Sequence, residues 1–141
     1  MNKNIKLLTK IIITLIAFAL AIALALKVYD YVQHTLPPTQ VDIAVHYSPD
    51  KHCRADSPLY VAIFNDSHRT VNKSSFTLSA KGNDSEDNLI QLLASTYNKQ
   101  RIIRPGETYE GCWPHPKLKS NKYAPEELTF EIKRKMITFG N

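Results

Sequence analysis

The stretch that decides the fold is Leu59 to Gly82, LYVAIFNDSHRTVNKSSFTLSAKG. Its first part, Leu59 to Asn65, is apolar on both phases, as expected of a central strand covered on both sides or of one carrying aromatics near an edge. Asn65-Asp66-Ser67-His68 follows with turn formers, whose short polar side chains bond their own backbone. Beyond the turn, Phe76, Leu78 and Ala80 fall on alternate residues, the period of a strand with one covered face.

The same period extends outward. Val41, Ile43, Val45 and Tyr47 alternate with Asp42, Ala44, His46 and Ser48 before a Ser48-Pro49-Asp50 turn. Lys81 to Asp87, KGNDSED, is a polar loop. Asn88 to Tyr97, NLIQLLASTY, suits either a short helix or a strand. Pro105-Gly106 marks a turn into a strand over Glu107 to Trp113. Leu128, Phe130 and Ile132 are in phase, with a basic tight turn expected at Lys133 to Lys135 and a last short strand after it. Six or seven short strands in about 100 residues describe an all-β sandwich, with one marginal helix as the exception.

Upstream the pattern is different. Ile11 to Leu26, IIITLIAFALAIALAL, is an uncharged run of 16, prolonged by Leu7 and Leu8 before it and by Val28, Tyr29, Tyr31 and Val32 after it. About seven turns of apolar helix cross a hydrocarbon core of ~30 Å. Lys3, Lys6 and Lys10 precede the run, whereas Lys27 is offset by Asp30, so the positive-inside bias leaves the short N-terminus in the cytoplasm. A cleavable signal peptide competes with a retained anchor, because Ala23-Leu24-Ala25 offers a cleavage site. No Gly or Pro breaks the helix before that site, and the helical pattern runs on to Pro37-Pro38, which favours retention. The expected organisation is a cytoplasmic tail over 1–10, a transmembrane signal-anchor helix over 11–36, a proline spacer over 37–40 and an exported domain over 41–141.

Four of the 18 Lys and Arg and one of the 13 Asp and Glu lie before Val41, so most of the formal +5 belongs to the membrane segment and the exported part is only +2. That placement, with no basic stripe interleaved with aromatics, sets nucleic acid aside as a partner. No phosphate loop, HExxH, G-x-S-x-G or paired-acid motif is present, so no enzyme, cofactor or small-molecule substrate is expected. Asp66, Ser67 and His68 are turn residues of one loop, a poor source of a triad. Asp84, Glu86 and Asp87 lack the spacing of a calcium loop and are expected in solvent. Asn65, Asn72 and Asn83 each precede x-Ser, a glycan signal in a eukaryotic secretory chain and a turn residue in a bacterium.

Glu110 to Pro116, EGCWPHP, packs a thiol, an indole and an imidazole between prolines. Its Cys112 and the distant Cys53 are the only cysteines. In an oxidising compartment such a pair is expected as a disulfide, with Trp113 packed over or beside it. The sharper alternative is a copper or zinc site, for which His46, His52 and His115 with the two thiolates would be the ligands; a disulfide removes the thiolates that give such a cluster its specificity.

LYVAIFNDSHRTVNKSSFTLSAKG, a strand ending in Asn-x-Ser, a turn, Thr-Val and an alternating strand before Gly, together with IIRPGETYEGC, a Pro-Gly turn leading into a late strand, resembles the small immunoglobulin-like extracytoplasmic domains of bacterial envelope proteins anchored by one helix, of the FxLYD and FixH kinds. The resemblance covers roughly residues 41 to 139. It implies an immunoglobulin-like β-sandwich on one transmembrane helix, in the bacterial inner membrane with the domain in the periplasm, and brings no catalytic residue. The expected role is a non-enzymatic accessory subunit whose sandwich docks on an integral membrane protein or complex. Ala17, Ala21 and Ala25 are small enough for close helix packing in the bilayer. The alternative is a free-standing tethered binding module, capturing a peptide through a sheet edge or through Tyr97, Tyr109 and Tyr123.

Overall fold

Helix α1 (Lys3–Asp30) continues through a five-residue π turn, Tyr31–Thr35, into the short α2 (Leu36–Thr39) in the computed structural model, which describes residues 3–140. Residues 1, 2 and 141, which the expected tail and domain include, lie outside the described residues. Every large apolar side chain of α1 from Ile5 onward is exposed, Leu20 and Phe18 to 66%. A helix apolar on all faces with nothing covering it is suited to lipid. Thr9 and Thr14 fit the same medium: their hydroxyls donate to the carbonyls of Ile5 and Lys10 at 2.9 Å each, so neither needs water. The helical run Ile5–Thr39 is the one candidate membrane span among the described residues.

The proline pair does not stop the helix as expected. The Leu36 N–H reaches back to the Tyr31 carbonyl. This wide turn comes just before Pro37 and Pro38, which then sit near the start of α2, where an absent N–H costs nothing. The helical boundary moves from Leu36 to Thr39, and the residues read as a spacer are helical up to Gln40.

The chain divides into two compact units after Pro37. The second holds six strands in two antiparallel sheets. β1 (Val41–Tyr47), β2 (Leu59–Asn65) and β5 (Thr108–Trp113) form one, in the order β1-β2-β5; β3 (Val71–Lys81), β4 (Thr96–Ile103) and β6 (Thr129–Phe139) form the other, in the order β4-β3-β6. Registers run Val41↔Asn65 to Tyr47↔Leu59 and Leu59↔Trp113 to Phe64↔Thr108 in the first sheet. Between the sheets lie Val41, Leu59, Val61 and Ile63 from one side and Val71, Phe76, Leu78 and Ala80 from the other, each at 0–1% exposure. The Val, Leu, Ile and Phe side chains among them contribute roughly 1.5–3 kcal/mol each when fully buried, and the period-2 pattern puts them on one face.

Three local expectations need correction. β2 is central, yet its outer face is only partly covered: Tyr60 and Ala62 are half-buried and Phe64 is 38% exposed. NLIQLLASTY is mostly neither helix nor strand, since Ile90 bridges to Leu118, Leu92–Ala94 makes one 3₁₀ turn, and only Thr96 and Tyr97 begin β4. Lys133 to Lys135 is no hairpin tip. β6 runs unbroken from Thr129 to Phe139, and its register against β3 slips between Thr77↔Arg134 and Leu78↔Ile132, leaving Lys133 as the extra residue of a bulge. Three consecutive basic residues hide the alternation there, and the bulge restores the phase.

Candidate functional site

Cys53 and Cys112 form a disulfide with their Cα atoms 5.5 Å apart. It lies at the end of the sandwich remote from the start of β1, where β5 presents Cys112 opposite Tyr60 of β2. Strand alternation decides what surrounds it. Cys112 faces outward, so its neighbour Trp113 faces inward, paired with Leu59 and 8% exposed. The indole packs against Phe76 and Tyr97, with ring centroids 5.3 Å apart in each case, instead of over the disulfide. Tyr97 also stacks on Phe76, and its hydroxyl donates to the Pro114 carbonyl at 3.2 Å. Burial pushes the Tyr97 phenol up to about 12.

The three histidines divide between two places. His46 is paired with Tyr60 on the outer face and is exposed. His52 is tilted over the Tyr60 ring at 4.9 Å and shares a 3.1 Å hydrogen bond with Ser48 Oγ. His115 stands edge-on to Tyr47 and Phe130, its Nδ1 donating to the Pro116 carbonyl at 2.8 Å, with Nε2 buried and without a partner. With both sulfurs in the bridge, no group of three His, Cys, Asp or Glu side chains among the described residues is placed to hold a metal ion. EGCWPHP is therefore built as a staple, with one residue facing out to the bridge and the next facing in to the core.

The other singled-out residues are also engaged locally. Asp84 accepts from the Tyr123 hydroxyl and lies 3.0 Å from Lys122 Nζ; these two partners, Tyr123 first, hold its carboxyl below the usual range. Glu86 pairs with Lys81 at 2.9 Å. Tyr123 lies flat over Gly82, where an added Cβ would stand 2.5 Å from the ring. Tyr109 reaches over Gly111 with its hydroxyl end, 2.5 Å from where a Cβ would stand, and Lys99 Nζ lies 5.1 Å from the centre of its ring. Lys135 points inward and donates to the Val41 carbonyl, closing one side of the sandwich. Ala17, Ala21 and Ala25 are exposed on α1 at four-residue spacing.

Asn65 carries more than a turn residue's share. It is fully buried; its Nδ2 donates to the carbonyls of Arg69 (2.8 Å) and Ile103 (2.9 Å), and its Oδ1 accepts from the Ser67 amide and hydroxyl. Its backbone accepts from Gly106 and donates to Glu107. An amide so placed is closed to glycan attachment, whereas Asn72 and Asn83 are exposed.

Two exposed apolar features lie outside the sequence patterns described above. Leu92 and Leu93 are 85% and 99% exposed on their 3₁₀ turn, and Ile102 is 65% exposed between Arg101 and Arg104. An apolar residue flanked by arginines before a Pro-Gly turn is the signal that marks the second. No family model, curated protein or solved structure matches this chain.

Proposed function

We propose that this protein is a non-enzymatic, single-pass accessory subunit of the bacterial inner membrane, with its N-terminus in the cytoplasm and a disulfide-stapled sandwich in the periplasm that docks on an integral membrane protein. One observation carries the reading: a helix apolar on every face, its large side chains all exposed, is joined through one residue, Gln40, to a domain whose cysteines are bridged. Such a helix needs lipid or protein around it, and the bridge suits an oxidising compartment. The strand order β1-β2-β5 over β4-β3-β6 supports an immunoglobulin-like sandwich, of the kind seen in FxLYD and FixH-type envelope proteins, without a last edge strand. Folds of this kind host many roles, so the role rests on the helix and its surroundings.

The experiment is extraction of tagged full-length protein in mild detergent beside a version whose residues 7 to 32 are replaced by an unrelated membrane helix. A stoichiometric polytopic partner that disappears with the swapped helix supports the accessory subunit. A partner that persists through the swap favours the second reading, a tethered binding module, for which the bare Leu92-Leu93 turn is the motive.

A further inference from the structure

Gln40 is the single residue between α2 and β1, and its carbonyl accepts from the Asp66 amide at 2.9 Å. Asp66 follows Asn65, whose carbonyl accepts from Gly106 at 2.7 Å and whose amide donates to Glu107 at 3.0 Å. The linker residue and the Arg104-Pro105-Gly106-Glu107 turn thus belong to one hydrogen-bonded cluster at the end of the domain where the chain enters. Gly106 has φ of 78°, and the Glu107 amide donates to the Arg104 carbonyl at 3.0 Å, so the turn is a tight one with Pro and Gly in its two central positions.

The surface of this corner has a particular chemistry. The β3–β4 register passes from Lys73↔Gln100 to Val71↔Ile103, which sets both Arg101 and Ile102 against Asn72 alone. A bulge of this kind re-aims side chains, and here Arg101 and Ile102 both emerge exposed, with Arg104 exposed beyond them. Glu107 lies 3.5 Å from Arg104 in a solvated pair, while the Arg101 guanidinium stands 5.9 Å above the Tyr109 ring with no carboxylate bridged to it among the described residues.

We propose that Arg101, Ile102 and Arg104 form a contact site for the phosphate headgroups of anionic lipids in the membrane that the helix spans. Guanidinium groups match phosphate bidentately, and an apolar side chain between them suits the headgroup boundary. Reach allows it. The apolar run ends at Val32, and the seven helical residues from there to Thr39 rise about 10 Å. A headgroup layer of roughly 6 Å and the length of an arginine side chain cover that distance. The inference rests on the anchored reading above, and the test separates the two.

The test reconstitutes the full chain in vesicles of phosphatidylcholine alone or with anionic phosphatidylglycerol, recovers it by flotation, and follows amide hydrogen exchange by mass spectrometry. Exchange over residues 100–107 is expected to slow by about fivefold or more in the anionic bilayer. The slowing should vanish in the R101E/R104E double variant and persist in K133E/R134E, an equal charge change on β6. Equal exchange in both bilayers, or loss of the effect in both variants, overturns the headgroup site while leaving the anchor intact. A chain that does not float with the vesicles overturns the anchor and the site together.

Discussion

Asn65 shows how one side chain can hold an end of the sandwich. All four hydrogen-bonding positions of its amide are used at zero exposure, joining β2, the turn after it and the last residue of β4. Replacing it with Ala leaves the Ile103 carbonyl and the Ser67 amide without this partner, whereas the Ser67 hydroxyl and the Arg69 carbonyl keep each other, at about 1–3 kcal/mol for each unsatisfied group. Asn65→Ala is expected to lose about 3 kcal/mol of stability in urea unfolding of residues 41–141, with Asn65→Asp no better because its carboxylate would face two carbonyl oxygens. A loss of under about 0.5 kcal/mol, the ordinary effect of a surface change, would show that the cluster contributes nothing. Tyr97 gives the alkaline side of the stability curve. Its phenol is raised to about 12 in the folded chain against about 10 when unfolded, so its contribution is full below pH 10 and fades as pH rises through that window. Tyr97→Phe should flatten the stability loss between pH 10 and 12, and an unchanged slope would assign the loss to other groups. Asn65 is recognisable in the sequence as a turn residue, but its bond to Ile103, 38 positions away, depends on how β4 meets the end of β2, which no local pattern states.

At the scale of elements, the strands were readable where one face is wet. β1 and β5 follow the period of two, as does β3 from Ser74 to Ala80, and the Pro-Gly turn falls where its residue types require. The elements that depart from the local pattern share a cause: the surrounding structure supplies what that pattern lacks. A bulge absorbs Lys133 in β6, a π turn accommodates Pro37 and Pro38, and Leu118 gives Ile90 its bridge. The disulfide was legible from cysteine count and compartment, while the placement of Trp113 on the opposite face needed the register. The bridge closes a loop with a sequence separation of 59, for which the chain-entropy model gives roughly 4 kcal/mol. The double variant C53S/C112S is expected to unfold at lower urea by an amount equivalent to about 2–4 kcal/mol, and no shift would mean that the oxidised fold carries compensating strain. In the helix, replacing Ala17, Ala21 and Ala25 together with Leu adds bulk at a four-residue spacing. If this face packs on the partner, co-purification in mild detergent should fall sharply; undiminished recovery would place the contact elsewhere on the helix or on the domain.

The whole molecule combines a helix that has no core of its own with a small domain that carries its own cross-link. The proposed anchor requires that the helix stay attached, and the bridge suits a domain that matures in an oxidising compartment. Intact mass of the protein taken from its native membranes, under alkylating and non-reducing conditions, reads both at once. The expected chain keeps Lys3 to Leu26 and takes up no alkyl group until reduced. A chain starting near Leu26, or two cysteines alkylated without reduction, would contradict it.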